Sequence, residues 1–178
     1  MTEANAQELL KNIALFSELN PQELSKIASI ARAVRFKPGQ LICKQGAQGD
    51  RMSVITAGQA QVTIGDIATA PTPIGQIDAG EVFGEVSLVD DQPRTANVVA
   101  ASEVEAYEIT RTAFDEMRQA LDPAAYKVMR RISLTVCDRL RAVVAQGSGQ
   151  RAPDRKASTA SLPADEKKGF WSRLGFGG

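Results

Sequence analysis

Within residues 5 to 18, Leu9, Leu10, Ile13, Ala14 and Phe16 recur at helical spacing, which predicts an amphipathic helix. A second helix start follows at once. Asn20 can cap, Pro21 suits a first helical turn, and Glu23 stands three residues after Asn20, the pattern of a reciprocal cap. This helix runs to about Ala31 and turns Leu24, Ile27, Ala28 and Ile30 inward.

The period then changes from helical to alternating. Val34 and Phe36 alternate with Arg35 and Lys37, and short apolar runs follow at 41–44, 52–56, 61–64, 95–100 and 104–109, with Ile74 and Ile77 between. Turn signals separate them at Pro38-Gly39, Gln45-Gly46, Gly49-Asp50, Gly58, Gly65-Asp66 and Asp78-Ala79-Gly80, while Pro71 and Pro73 mark a loop. Short strands punctuated so regularly predict a β-barrel or sandwich. Helical texture returns at Thr110. Residues 112–121 bury Ala113, Phe114 and Met117, and Asp122-Pro123 opens a long helix that ends near Gln146. Its apolar stripe is Val128, Ile132, Val136, Leu140 and Val143. The stripe can pack on the barrel or form a two-helix seam with a second copy. A homodimer through residues 123–146 is the expectation, because so long a helix exposes more stripe than a small barrel covers.

Beyond Gly147 the texture becomes Gly, Ser, Ala, Pro and charge, so residues 147–168 read as a flexible linker. Residues 169–178 form an aromatic terminal motif with Phe170, Trp171, Leu174 and Phe176. Docking to a partner protein is the leading reading of this motif. Contact with a membrane surface, helped by Lys167, Lys168 and Arg173, and docking back onto the barrel are the alternatives. The expected organisation is a helical entry over 1–31, a barrel over 32–110, C-terminal helices over 111–146, the linker and the motif.

Composition narrows the function. The 178 residues suffice for one domain and a tail, and the 43% hydrophobic content allows a real core. Lys plus Arg equals Asp plus Glu at 21 each, so the chain has no general electrostatic reason to bind nucleic acid. The residues after Gly147 are too few and too linker-like for a helix-turn-helix, and no DNA partner is expected. The chain has no histidine, which removes the usual general base and the commonest metal ligand. Asp90 and Asp91 read as a solvated turn, and no enzyme activity is expected. Cys43 and Cys137 have no metal-ligand spacing and are expected as buried thiols, with a disulfide between them as the alternative. No secretory signal and no apolar run of spanning length is present, which suggests a cytoplasmic setting.

The candidate chemistry lies in residues 83–98. Gly84 permits close approach of a backbone, and Val86 to Val89 can form one helical turn whose N–H groups attract an anion. Glu85 can accept hydrogen bonds from a sugar hydroxyl. Arg94 follows Pro93 and carries a planar fork suited to phosphate. Glu85 and Arg94 could instead pair with each other across the turn.

Through Phe83, Gly84, Glu85, Leu88, Pro93, Arg94, Thr95, Ala96 and Val98, this segment resembles the phosphate-binding cassette of the cyclic-nucleotide-binding domain family. That family includes the catabolite activator protein and the regulatory parts of cyclic-nucleotide-dependent kinases. The resemblance covers about residues 8 to 146. It implies an eight-stranded jelly-roll β-barrel, mainly β with flanking α, with N-terminal helices and a long C-terminal lid or dimer helix. It further implies that Glu85 holds the ribose 2′-hydroxyl, that Arg94 holds the cyclic phosphate, and that backbone N–H groups of Gly84, Glu85, Val86 and Ser87 complete the cradle. Base-facing positions fall near Arg139, Val143 and Val144, where the catabolite activator protein carries hydroxyl side chains at the two positions that are valine here. The implied ligand is a cyclic nucleotide acting as a regulatory signal. Cyclic AMP is favoured and cyclic GMP is the alternative, since the Thr95 hydroxyl beside Arg94 suits either. The implied function is a sensor or adaptor that signals through its C-terminal helix or tail to a partner protein. A jelly-roll scaffold that no longer binds nucleotide is the competing reading.

Overall fold

The computed structural model describes residues 3–69, 71–90 and 92–147. The linker and aromatic motif expected beyond residue 147 lie outside these residues, as does Asp91.

The chain begins with α1 (Glu3–Leu10), a 3₁₀ turn (Ala14–Phe16) and α2 (Pro21–Ile30). The single helix expected over 5–18 is therefore two pieces. Ile13 adopts an extended backbone (φ −83°, ψ 127°), and this break swings Ile13 and Phe16 into the same core as Leu10. The expected cap of α2 is present in both directions. Glu23 N–H donates to Asn20 Oδ1 at 2.9 Å, and Asn20 N–H donates to Glu23 Oε2 at 2.8 Å.

Eight strands follow: β1 (Arg32–Phe36), β2 (Leu41–Cys43), β3 (Arg51–Ala57), β4 (Ala60–Ile64), β5 (Thr72–Ile77), β6 (Val82–Phe83), β7 (Asn97–Ala100) and β8 (Val104–Thr110). They form two four-stranded antiparallel sheets, ordered β1-β8-β3-β6 and β2-β7-β4-β5. The pairs β1–β8, β2–β7, β3–β6 and β4–β5 are nested, as in a jelly roll folded from one long ribbon. The strands do not close into one hydrogen-bonded barrel. The reason is local: β6 pairs with β3 at two positions only, and the β2–β7 ladder slips between Leu41 and Cys43. Pro73, expected in a loop, lies inside β5. That strand is the edge of its sheet, where a missing N–H is tolerated, and the ladder with β4 shifts register beside it.

Two apolar layers result. Alternation in β3 and β8 sends Met52, Val54, Tyr107 and Ile109 toward the helices, where they meet Leu10, Phe16, Ile27, Phe114, Val128 and Ile132. It sends Ile55, Val104 and Ala106 between the sheets, with Val62, Ile77 and Val98. At one end of this inner layer the sequence places Ser53 and Glu108 instead of apolar residues, opposite each other in the β3–β8 register. That polar end becomes the site.

The chain closes with α3 (Arg111–Gln119), capped by Thr110, and α4 (Pro123–Gly147), whose first turn is held by Asp122 Oδ1 accepting from Ala124 N–H at 2.9 Å. The stripe of α4 divides. Val128 and Ile132 are buried against α2 and the 3₁₀ turn, whereas Val136 and Leu140 are exposed; the side chain of Val143, the last of the stripe, lies outside the described residues. Cys137 shares that exposed half, so it is not the buried thiol expected; Cys43 is half-buried, and both are free. No helix among the described residues is long and apolar enough to cross a membrane.

Candidate functional site

The site is built where β6 ends. Gly84 takes a left-handed conformation (φ +71°) and turns the chain into one 3₁₀ turn, Glu85–Leu88. The turn begins one residue earlier than the sequence suggests. Leu88 anchors it in the helix-side core, with 2% of its surface exposed. Glu85 and Ser87 are also buried.

Arg94 reaches this turn from the other side. Its backbone is fixed by two bonds to the facing loop: Arg94 N–H donates to Ala47 O at 2.8 Å, and Gly46 N–H donates to Arg94 O at 2.9 Å. Its guanidinium donates from Nη1 to Ser87 Oγ at 3.0 Å and from Nη2 to the Arg51 carbonyl. It therefore bonds one side chain of the turn, Ser87, and one backbone carbonyl of β3, Arg51. The group lies against Gly84 so closely that a Cβ there would overlap Nη1. Gly84 is thus required twice, for its positive φ and for the arginine above it.

This geometry carries a prediction. Gly84→Ala and Gly39→Ala both force alanine into a left-handed conformation, which costs roughly 1–2 kcal/mol. Gly39 (φ +80°) faces open space. Gly84→Ala should therefore lower unfolding free energy by at least about 1 kcal/mol more than Gly39→Ala, the excess being the displaced arginine. Equal losses in urea denaturation would show that Arg94 does not pack on Gly84.

Arg94 lines a cavity of about 250 Å³ with Lys44, Arg51, Phe83, Cys43 and Glu108 among its walls. Arg51 holds the polar end together. Its Nε and Nη2 donate to the two carboxylate oxygens of Asp50 at 2.9 and 2.8 Å, and its Nη1 donates to Glu108 Oε2 at 3.0 Å. The Arg51 fork holds the Asp50 carboxyl below its ordinary range. Burial pushes the Cys43 thiol up, while Arg94 pulls it the other way.

The predicted residues are thus partly assembled. Phe83 and Arg94 stand on the cavity wall; Gly84 and Ser87 touch Arg94 from the turn. Glu85 is buried within the turn, Val86 is half-buried and Thr95 is exposed, none of them on that wall. Arg139 and Val143 belong to the α4 backbone, and their side chains lie outside the described residues. Val144 is 60% exposed and away from the cavity.

Two features escape sequence reasoning. The Asp50–Arg51–Glu108 cluster joins residues far apart in the chain and exists only through β3–β8 pairing. The other is Arg111, the first residue of α3. Its Nε donates to Ser87 O at 2.7 Å, and its Nη2 donates to the carbonyls of Gly49 and Asp90. One side chain thereby ties the 85–90 segment to the start of β3. A signal existed: a cation in the first turn of a helix opposes the helix dipole, so Arg111 needed another reason to be there.

The fold and site together are a jelly roll that carries an arginine over a left-handed glycine. Residues 33–120 match the family profile described as cyclic nucleotide-binding domain, and through this segment the chain belongs to that family. A cAMP-dependent protein kinase regulatory subunit of Aspergillus fumigatus is 33% identical over 125 residues, covering 70% of this chain and 29% of that subunit. A cGMP-dependent protein kinase of Drosophila melanogaster, isozyme 2, is 30% identical over 128 residues, covering 70% of this chain and 14% of that kinase. The chain thus spans under a third of these curated relatives. The catabolite activator protein of Thermus thermophilus shares the fold, with a TM-score of 0.65 at 23% identity over 76% of this chain and 62% of that one. Among the described residues no group of His, Cys, Asp and Glu is arranged to hold a metal ion.

Proposed function

We propose that the protein senses a cyclic nucleotide and passes the signal to a partner without catalysing a reaction itself. One observation carries this reading: the Arg94 guanidinium is held by Ser87 and the Arg51 carbonyl, over Gly84, on the wall of the cavity. These two bonds use two of its five N–H donors, leaving capacity for an anionic oxygen. In this reading Arg94 takes the cyclic phosphate, the N–H groups of residues 84–87 support it, and Glu85 turns toward the ribose 2′-hydroxyl. Cyclic AMP is the favoured ligand and cyclic GMP the alternative; the relatives named above are a regulatory subunit of a cAMP-dependent kinase and a cGMP-dependent kinase.

The signal leaves through α4. Its exposed Tyr126, Leu140 and Val144 suit a homodimer seam, and in the bound state the helix closes over the base as a lid. Phe170, Trp171, Leu174 and Phe176 then dock to a partner protein in the cytoplasm. A ligand moves such an equilibrium only by its differential affinity for the two arrangements.

Calorimetric titration tests the reading. Cyclic AMP should bind with a dissociation constant well below about 1 mM, corresponding to more than roughly 4 kcal/mol, and more tightly than cyclic GMP. Binding of neither nucleotide in that range would leave the scaffold reading in its place.

A further inference from the structure

The cavity wall holds charge of both signs. Lys44, Arg51 and Arg94 are cationic, and Asp50 and Glu108 are carboxylates on the same wall. A plain phosphate trap would gain from cations alone. Here the Glu108 side chain is only 11% exposed, although removing a carboxylate from water is costly. Its bond to Arg51 Nη1 at 3.0 Å offsets that cost, yet it also places a fixed negative charge beside the anion site. Glu108 faces Ser53 across the β3–β8 ladder, so the strand pairing, not a flexible loop, sets its position.

We infer that Glu108, seconded by Asp50, is a specificity-determining residue that selects a phosphodiester monoanion over a phosphomonoester dianion. The inference rests on the cyclic-nucleotide reading above and adds a reason for the carboxylates within it. A cyclic nucleotide carries one negative charge. Its ring-opened 5′-monophosphate has a second ionisation near pH 6 and carries close to two negative charges at pH 8. The three cations alone would attract the dianion about twice as strongly as the monoanion, but the two wall carboxylates cancel most of that extra attraction. Little electrostatic gain is then left to offset the greater hydration that the dianion loses on entry. The buried Glu85 carboxylate, counted as well, acts in the same direction. Arg51 is the hinge of the device. It keeps both carboxylates oriented, and its own carbonyl accepts from Arg94, so the selecting charges and the phosphate-binding arginine are held in one frame.

The test is a pair of calorimetric titrations, cyclic AMP and 5′-AMP at pH 8, on the full chain. Glu108→Gln keeps the oxygen that Arg51 bonds and removes the charge. It is expected to lower the ratio of the 5′-AMP to the cyclic AMP dissociation constant by about tenfold relative to wild type. Asp50→Asn should move the ratio the same way, and it serves if Glu108→Gln does not fold by circular dichroism. Glu105→Gln is the control: Glu105 pairs with Arg35 at 2.7 Å and does not line the cavity, so the ratio should stay put. A wild type that binds cyclic AMP, with ratios in both cavity variants within about twofold of its own, overturns the role of Glu108 and leaves the sensor reading standing. A wild type that binds neither nucleotide overturns both.

Discussion

Arg94→Ala is expected to weaken cyclic AMP binding by at least about 100-fold while lowering unfolding free energy by only about 1–2 kcal/mol. The two effects separate because the residue does two different jobs. Its backbone bonds to Ala47 and Gly46 hold the loop in place, and alanine keeps both. Its guanidinium makes two bonds in the free protein, to Ser87 Oγ and the Arg51 carbonyl. Their loss frees one acceptor of Arg51, a residue of the cavity wall that water can reach, and one buried hydroxyl, Ser87, so the penalty is that of one buried polar group. In the proposed complex the same group meets an ionised phosphate with a bidentate fork, and each such charge-assisted bond contributes more than a neutral one. Arg94→Lys should fall between wild type and alanine, because it keeps the charge and loses the fork. Calorimetry for affinity and urea denaturation for stability read the two effects independently. Unchanged affinity in Arg94→Ala would remove the phosphate assignment, however stable the variant.

What was legible in the sequence was what is contiguous in it. The Asn20–Glu23 cap, the Gly84 turn and the Arg94 that follows ten residues later are local, and local backbone chemistry specifies them. The strands of the jelly roll were legible for the same reason, since glycine and proline mark where each one stops. Features that depend on pairing were not. No spacing announces that Arg51 and Glu108 meet, because they come together only through the β3–β8 register. Closure of the barrel was expected from the family resemblance. It fails at β6 and β2, where paired segments of two and three residues cannot carry a ladder from one sheet to the other. The excess of stripe on α4 is a local property of its length and spacing, whereas the place where cover ends, before Val136, depends on how far α2 and the 3₁₀ turn reach.

Arg111→Ala should produce the opposite pattern to Arg94→Ala: a loss of about 2–4 kcal/mol in unfolding free energy, with weaker nucleotide binding as its consequence. Arg111 does not line the cavity. Its guanidinium instead gathers the carbonyls of Ser87, Asp90 and Gly49, and its own N–H donates to Asp50 O at 2.7 Å. Three backbone acceptors from two separate segments thus share one planar donor group, and charged donors make the stronger bonds. Alanine keeps the Asp50 contact and deletes the rest. The 85–90 segment then has Leu88 as its chief anchor, and the Ser87 hydroxyl that orients Arg94 loses its fixed backbone. Arg111→Lys can satisfy one or two of the carbonyls but not span all three, so it should recover less than half of the lost stability. Urea denaturation followed by far-ultraviolet circular dichroism, with cyclic AMP titration of the folded variant, checks both parts. An unfolding midpoint equal to wild type would mean that the clamp is dispensable. Lost stability with full affinity would mean instead that the 85–90 turn holds its shape for the ligand without Arg111.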